Sequence, residues 1–484
     1  MSIIPCTTWV KKGVASTNPA KIQLTPKELN RIIKHKQPEL ILPDGNDSDK
    51  KHNKVNRHKC EVGSSEIDEY NFDKYDDESG NIHCNIGNIA SFEEDGIDPL
   101  ITGEDDDSEK EDDIIKSNDN LVLIGRVEGG GSILEVFVYN GDEDSFYCHH
   151  DILLPSFPLC IEWLDFDPSD SKPGNLCAIG DMTSIIQVWD LDLMDSLEPA
   201  YKLGRKPNKK KSQSYIGHRD AVLDLAWNKH YTHVLASASA DHTVLLWDLE
   251  TGAPANKFTS FEEEIQTLKW HPNEGHYLLT GCADTVVRLF DCRYETVVKS
   301  WNALGEVEKV LWNSFDTNYC LVSTSNGYVQ YIDIRKGKSI WDVQAHTKEV
   351  IGLSLSSSCP GLLVTSANDG VIKVWDIIND KEPWFIWEKK TNLGALLCLA
   401  PNPDNPFVFA VGGDNKSHNY KIFDLLEIPE VRERFRERKL QSNINDTRTQ
   451  EMKEEIMDIT EDKNSVIFNL NTTNTASKRT ERNK

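Results

Sequence analysis

One dipeptide constrains the fold of this chain more than any other feature. An aromatic or branched residue followed by aspartate recurs, with consecutive copies 58, 43, 42, 43 and 48 residues apart. A period of about 40–45 residues indicates units of four short strands, which stack radially as the blades of a β-propeller. The copies are Trp189-Asp190, Trp247-Asp248, Phe290-Asp291, Ile332-Asp333, Trp375-Asp376 and Phe423-Asp424.

The residues within each unit are typical of WD40 repeats. After Gly217-His218, alternation of apolar and polar residues predicts strands at Val222–Trp227, Val234–Ser237 and Val244–Asp248. We therefore predict an all-β fold, a seven-bladed WD40 β-propeller with a disordered acidic insertion and a short helical C-terminal extension.

A buried hydrogen-bonded set ties many WD repeats together. It comprises a His, an Asp in a turn, a strand Ser or Thr, and the Trp. The repeats that contain His218 and His346 have most of this set, whereas Thr183 and Ser417 replace the turn Asp in two others. We expect those two blades to be less rigidly tied. The residues predicted to form the sets are His218, Asp241, Trp247, Asp284, His346, Asp369 and Trp375.

A second period, in tryptophans that end inner strands, indicates how seven blades arise. Trp163, Trp227, Trp270 and Trp312 each end such a strand, and Trp9 ends a similar run. Residues 121–147 supply only three strands. We therefore expect residues 1–12 to provide the innermost strand of that blade, across a long insertion.

The charge distribution sets the predicted domain boundaries. The chain has 484 residues and a net charge of −26, of which −18 falls between residues 61 and 113. A stretch this acidic and polar cannot bury enough apolar surface to compensate for the conformational entropy that it would lose on folding. The predicted order is a first propeller strand (1–12), a short helical segment (13–36), the disordered acidic insertion (37–118), the propeller (119–426), a charged helix (427–464), and a candidate closing strand with a disordered tail (465–484).

The C-terminal part of the chain has two further predicted features. The last blade lacks an outer strand after Phe423-Asp424, and Val466–Leu470 is the strand-like segment that could complete it. Pro429–Leu440 reads as a helix with Glu430 and Arg434 as an i,i+4 pair.

A lysine-rich loop, residues 202–212, explains the long first interval. Such a tract can be a nuclear import signal or can contact RNA phosphates, and a solvated linker is the plain alternative. Its basic residues are Lys202, Arg205, Lys206, Lys209, Lys210 and Lys211.

The acidic insertion is a candidate site for basic clients such as ribosomal proteins or histone tails, although it could simply aid solubility. Ser65 and Ser108 each have an acidic residue three positions later and are candidate phosphosites. Phosphate at either serine would add to a field that is already negative.

The sequence gives no indication of a metal site, a disulfide or a catalytic site. Cys148-His149-His150-Asp151 invites a metal interpretation, but adjacent strand residues point to opposite faces, so we expect an ordinary strand. Eleven cysteines without a Cys-x-x-Cys pair read as reduced thiols. We expect no cofactor, no enzymatic activity and no small-molecule substrate. The apolar runs fall short of a membrane span, and no signal peptide is visible, so we expect no membrane partner.

Two consecutive repeats end in Asp-x-Arg, and their arginines are Arg293 and Arg335. Substrate receptors of cullin-RING ubiquitin ligases look like this, so both arginines are candidate adaptor contacts. However, those receptors prefer Trp where this chain has Phe290 and Ile332. An Arg can also pair with an Asp at a strand end for structural reasons alone.

Taken together, the chain resembles the periodic tryptophan protein 1 family from Thr8 to about Asp424. The resemblance is carried by runs at residues 8–10, 135–140, 149–155, 158–164, 221–229 and 234–241, together with the acidic stretch and the lysine loop. It departs at the C-terminus, where an Asn/Thr-rich tail replaces the expected acidic ending.

The resemblance implies a nuclear and nucleolar scaffold of ribosome biogenesis, linked to the large-subunit precursor and to rDNA chromatin. Implied partners are pre-ribosome assembly factors and ribosomal proteins, with pre-rRNA and histones as further candidates, and we expect a monomer. A histone-binding chromatin propeller and a ligase receptor are the alternative functions.

Overall fold

The computed structural model describes residues 2–22, 114–169, 173–206, 215–294, 296–378 and 381–438. Within these ranges the chain forms seven antiparallel sheets, arranged as the blades of a β-propeller. The prediction of a seven-bladed β-propeller is therefore confirmed. Across the same ranges, no helix is long and apolar enough to span a bilayer.

Each blade contributes an innermost strand to a central ring. Every innermost strand contacts those of its two neighbours, and the last contacts the first, which closes the ring. These strands are β1 (Ser2–Val10), β6 (Pro158–Leu164), β11 (Val222–Trp227), β15 (Ile265–Trp270), β19 (Val307–Trp312), β23 (Gly352–Leu355) and β27 (Leu396–Pro401).

The second and third strands complete the middle of each blade. The second strands are β3 (Asn120–Glu128), β7 (Leu176–Asp181), β12 (Val234–Ser239), β16 (Tyr277–Cys282), β20 (Tyr319–Thr324), β24 (Leu362–Ser366) and β28 (Val408–Gly413). The third strands are β4 (Gly131–Asn140), β8 (Ile186–Asp190), β13 (Val244–Asp248), β17 (Val286–Asp291), β21 (Tyr328–Asp333), β25 (Val371–Asp376) and β29 (Tyr420–Asp424).

Outer strands close six of the blades within the described ranges, and blade 7 has three strands there. The outer strands are β5 (Ser145–Leu154), β10 (Tyr201–Leu203), β14 (Ala253–Phe258), β18 (Thr296–Asn302), β22 (Lys338–Gln344) and β26 (Trp384–Lys390). The candidate closing strand Val466–Leu470 lies outside the described residues, as does the rest of 439–484.

Blade 1 is assembled from two distant parts of the chain. β1 pairs antiparallel with β3, with Trp9 opposite Val122, although residues 23–113 separate the two strands in sequence. Ser2–Val10 is thus the innermost strand of blade 1. Residues 114–118, predicted as part of the insertion, are already described, and Ile115 is buried against blade 1. The acidic run ends in two isoleucines, and burial of the second explains why the folded part begins before residue 119.

Short elements flank the propeller. Residues 13–22 contain turns and β2 (Ala20–Lys21), which pairs with β9 (Leu193–Met194); the helix predicted around residue 26 lies outside the described residues. A 3-10 turn (Leu425–Glu427) leads into helix α1 (Pro429–Phe435). Helix α1 is shorter than predicted and buries Val431 and Phe435 between blades 6 and 7.

The core is distributed between blades. Seven clusters of buried apolar residues occur in the described ranges, and each joins neighbouring blades. Burial of apolar side chains at about 25 cal/mol per Å² makes these interfaces the main stabilising contribution. The cluster between blades 7 and 1 includes Ile4, Trp9 and Val408.

The periodic tryptophans also link blades through hydrogen bonds. Trp270 donates through Nε1 to the Ala226 carbonyl of blade 3, and Trp312 donates to the Lys269 carbonyl of blade 4, at 3.0 and 3.1 Å. Trp9 donates to the Ala400 carbonyl at 3.0 Å and so ties blade 1 to blade 7. Trp163 and Trp227 instead donate within their own blades, to Asn175 and to the Thr232 carbonyl, so three of these five tryptophans link neighbouring blades.

Candidate functional site

The predicted hydrogen-bonded set is assembled in blade 3. Trp247 donates through Nε1 to Ser237 Oγ at 2.8 Å, and Ser237 Oγ lies 2.7 Å from His218 Nε2. His218 Nδ1 is 3.2 Å from Asp241 Oδ1. A carboxylate only accepts hydrogen bonds, so Nδ1 carries the proton and Nε2 accepts from the serine hydroxyl. Burial opposes ionisation of Asp241, yet hydrogen bonds from His218 and Thr243 hold its pKa well below the usual range.

Blade 6 repeats the arrangement with threonine in place of serine. Trp375 donates to Thr365 Oγ1 at 3.1 Å, and that oxygen lies 2.8 Å from His346 Nε2. His346 Nδ1 is 3.2 Å from Asp369. Burial lowers the pKa of His346 even though Asp369 opposes the shift. Both sets connect the loop before an inner strand to the middle of the same blade.

In blade 4 the turn aspartate has a different partner. Phe261 stands where the other two blades have His, and Asp284 instead forms a 2.6 Å ion pair with Arg288 of β17. The Arg288 guanidinium lies 5.2 Å from the centre of the Phe261 ring. The turn Asp is therefore anchored to its own third strand rather than to a histidine.

The two blades with a replaced turn Asp also lack parts of the set. In blade 2, Trp189 is buried, and its indole nitrogen has no hydrogen-bond partner in the described structure. In blade 7 the tryptophan position is Phe423. The lower rigidity expected of these two blades stays a prediction.

The Asp-x-Arg motifs form compact ion pairs at the ends of β17 and β21. Arg293 donates to Asp291 through Nε and Nη2, at 3.0 and 2.7 Å. Arg335 donates to Asp333 in the same way, at 3.1 Å for both bonds. Both arginine side chains are about half exposed, whereas both aspartates are buried. The guanidinium groups are thus presented outward, with their carboxylates beneath.

In blade 6 the corresponding guanidinium groups come from the C-terminal segment, a contact that no sequence motif indicated. Asp376 is followed two residues later by Ile378, and it accepts instead from Arg434 Nε at 2.7 Å and from Arg438. Arg434 was expected to pair with Glu430 on its own helix. Burial raises the pKa of Asp376, but the hydrogen bonds from Arg438 and Arg434 outweigh it and lower the pKa. Asp376 is equivalent to Asp291 and Asp333 but has no Arg two residues later. That difference could have indicated that its partner comes from elsewhere in the chain.

The lysine loop leaves the propeller between blades 2 and 3. Lys202, Arg205 and Lys206 are described and exposed, whereas Lys209, Lys210 and Lys211 lie outside the described residues. Arg205 and Ile216 exchange two backbone hydrogen bonds, at 2.7 and 3.1 Å, which hold the two ends of the loop together. Ser65 and Ser108 also lie outside the described residues.

The histidine pair in β5 differs from expectation. The pairing of β4 with β5 shifts register between Cys148 and His150, and this bulge brings His149 Nδ1 to 2.9 Å from His150 Nδ1. Strict alternation of the two side chains was therefore the wrong expectation, because a bulge rotates one residue out of the pleat. Burial, followed by the neighbouring His149, lowers the pKa of His150 to about 4. No group of three potential ligands suited to a metal ion occurs among the described residues.

A groove of about 200 Å³ lies between blades 4 and 5. Its walls combine apolar and aromatic side chains with four polar or charged ones, His271, Glu274, Lys299 and Thr317. It opens on the face of the propeller where the first and third strands end, which we call the lower face. No sequence motif predicts this groove.

The fold and its hydrogen-bonded sets define a class: the chain is a WD40-repeat β-propeller protein. The family model "WD domain, G-beta repeat" matches residues 209–248, 252–291 and 337–376.

The comparison with curated proteins narrows this class. The chain is 41% identical over 451 residues to the "Periodic tryptophan protein 1 homolog" of Drosophila melanogaster, covering 90% of this chain and 96% of that one. It is 31% identical to the "Periodic tryptophan protein 1" of Saccharomyces cerevisiae, covering 90% of each. The chain belongs to the periodic tryptophan protein 1 family. A more distant relative, 24% identical over 54% of this chain and 57% of its own length, is the "Ribosome biogenesis protein WDR12 homolog" of Caenorhabditis briggsae.

Proposed function

We propose that this protein is a non-catalytic scaffold for assembly of the large ribosomal subunit precursor and for rRNA processing, located in the nucleolus. The similarity to periodic tryptophan protein 1 across 90% of the chain carries this proposal. A more distant relative whose name states ribosome biogenesis matches 54% of this chain. Its partners would be pre-ribosome assembly factors and ribosomal proteins.

The geometry supports docking rather than chemistry. Several of the charged groups with shifted pKa values serve structural ties, namely Asp241, Asp369 and Asp376. The closed ring leaves two rigid faces with most sheet edges protected, which suits the simultaneous binding of several partners. A scaffold needs such preorganised surfaces, because ordering a flexible surface on binding would reduce affinity.

The lysine loop is the proposed RNA contact, with nuclear import as its alternative role. The backbone bonds between Arg205 and Ile216 bring the two described ends of the loop together beside blade 3. Lysines neutralise phosphates without reading sequence, so the contact would steer the scaffold to pre-rRNA in general.

The salt dependence of RNA binding tests this contact. Replacing Lys206, Lys209, Lys210 and Lys211 with Ala should reduce the slope of log affinity against log salt by up to about 3, if each lysine neutralises one phosphate of single-stranded RNA. A matched variant that replaces four other exposed lysines, Lys338, Lys348, Lys381 and Lys416, should leave the slope nearly unchanged. Equal slopes in the loop variant and the wild type would exclude the RNA role.

The scaffold proposal is tested by affinity purification of the tagged protein from its own cells, with and without ribonuclease. We expect large-subunit assembly factors and pre-rRNA in the untreated sample. Their loss on ribonuclease treatment would locate the contact in RNA. Recovery of histones without pre-ribosomes would favour the chromatin function, and recovery of a cullin adaptor would favour the ligase receptor; either result would overturn the proposal.

A further inference from the structure

The lower face carries an opening between blades 4 and 5 whose wall is partly apolar and partly polar. Tyr277, Leu289, Trp312 and Ile334 form much of its wall, and Val298 of β18 lies at its mouth. At about 200 Å³ the groove is smaller than the roughly 300–1,000 Å³ typical of small-molecule pockets. It is better suited to one large side chain of a protein partner.

The surface around the groove is unusually apolar for an exposed strand. Val298 is 45% exposed, its neighbour Val297 is 39% exposed, and Tyr294 in the preceding turn is 69% exposed. Apolar side chains that cluster on the surface and surround a cavity mark interaction sites more often than isolated ones do. Tyrosine at the rim is also enriched in protein interfaces.

Cations surround this apolar centre. Lys299 lines the groove and donates to the Ile334 carbonyl at 2.9 Å, next to Arg335. Arg293 lies over the exposed Tyr294 ring, 5.5 Å from its centre. Lys336, 73% exposed, follows Arg335 and lies 3.2 Å from Asp333. The rim therefore presents positive groups to solvent on both sides of an apolar opening.

The carboxylates that balance these cations lie beneath them. Asp291 and Asp333 are buried and bind their arginines through Nε and Nη2, and Nη1 of each arginine has no hydrogen-bond partner in the part of the chain that the structure describes. Those pairs also preorganise the guanidinium groups, so little side-chain entropy is lost when a partner binds. The acid in the groove wall, Glu274, lies 3.5 Å from His276.

We propose that the blade 4–5 groove binds a segment of a partner protein in which one large apolar side chain is flanked by Asp or Glu residues. The apolar side chain would enter between Val298, Leu289 and Ile334, and the carboxylates would bind Arg293, Lys299 and Arg335. The inference deepens the proposed docking function by naming the partner chemistry and rests on that function. Apolar side chains between separate cations favour an acidic peptide that carries an apolar side chain over a nucleic acid, whose phosphates need an unbroken positive track.

A phage-displayed library of random 12-residue peptides, selected on the full chain, tests the groove. We expect enriched peptides to contain Phe, Leu, Ile or Trp flanked by acidic residues. The exposed substitution Val298→Asp should weaken their binding roughly tenfold or more, because it places a like charge at the mouth of the groove. The matched control Leu304→Asp, also at an exposed apolar residue but in the loop on the opposite face, should leave binding unchanged.

Several results would overturn the inference: no enriched peptide, enriched peptides without acidic residues, or equal binding to Val298→Asp. A labelled 20-nucleotide poly-uridine RNA that binds the full chain and is lost in Lys299→Glu would assign the surface to nucleic acid instead. Failure of the scaffold proposal is distinguishable, because it appears as the absence of pre-ribosomal components in the wild-type purification, whatever the library yields.

Discussion

Thr365→Val isolates the energy of the buried hydrogen-bonded set in blade 6. The substitution replaces a hydroxyl with a methyl group of nearly the same shape, so it opens no cavity. Thr365 is fully buried, and its hydroxyl is the shared partner of Trp375 Nε1 and His346 Nε2. Both nitrogens would be left without a partner inside the blade.

The expected loss follows from those two groups. A buried polar group without a partner costs about 1–3 kcal/mol, so loss of the partner of both groups should lower the free energy of unfolding by about 2–6 kcal/mol. Blade 4 offers a matched control, because Thr280 occupies the equivalent position ten residues before Phe290. Its hydroxyl makes one 3.3 Å bond, to the Arg288 carbonyl, so Thr280→Val should cost about 0.5–1.5 kcal/mol.

Equilibrium urea unfolding followed by tryptophan fluorescence measures both changes, once refolding from high urea has shown reversibility. The difference between the two variants carries the prediction, because the chemical substitution is the same in both blades. Losses that agree within about 0.5 kcal/mol, the usual error of such comparisons, would refute the assignment of stability to the His–Thr–Trp set.

Three further predictions follow from the other contacts. Asp376→Asn should leave Arg434 and Arg438 without their carboxylate and so speed hydrogen exchange in α1, and unchanged exchange would contradict the remote ion pair. The folded pKa of His150, about 4, lies below its ordinary 6.5, so the unfolded state binds more protons between these values and stability should fall as pH drops from about 6.5 to 4, at up to about 1.4 kcal/mol per pH unit. His150→Leu should remove that slope in urea midpoints measured across this range, and an unchanged slope would assign it to another group. Trp9→Phe removes the indole bond to Ala400 and should lower the unfolding free energy by about 1 kcal/mol in the same urea assay, whereas no loss would mean that apolar contact alone closes the ring.

Local pattern carried most of the fold prediction. The spacing from Trp189 to Phe423 indicated blades, and the apolar run that ends at Trp9 indicated the missing inner strand of blade 1. Both signals depend on residues that are close in sequence or equivalent between repeats. In a repeat protein the same sequence pattern occurs in several units. The fold can therefore be predicted even where one blade lacks the consensus residue.

The sites were less predictable, because they depend on exceptions to the repeat. The predicted alternation of His149 and His150 failed at a bulge, which depends on how β5 is paired and not on its own residues. The replacement of a histidine tie by Arg288 could be seen only once Phe261 was placed beside it.

The sequence by itself determined the class of fold, the number of blades and the hydrogen-bonded residues of blades 3 and 6, because the spacings of 23 residues from His218 to Asp241 and from His346 to Asp369 repeat the same local geometry. The tertiary structure alone decided which groups meet between repeats: Arg434 and Arg438 at Asp376, Trp9 at Ala400, and the apolar groove with its outward arginines. The physical reason is that hydrophobic periodicity reports which face of a strand is buried, whereas a contact between blades depends on the closure of the whole ring.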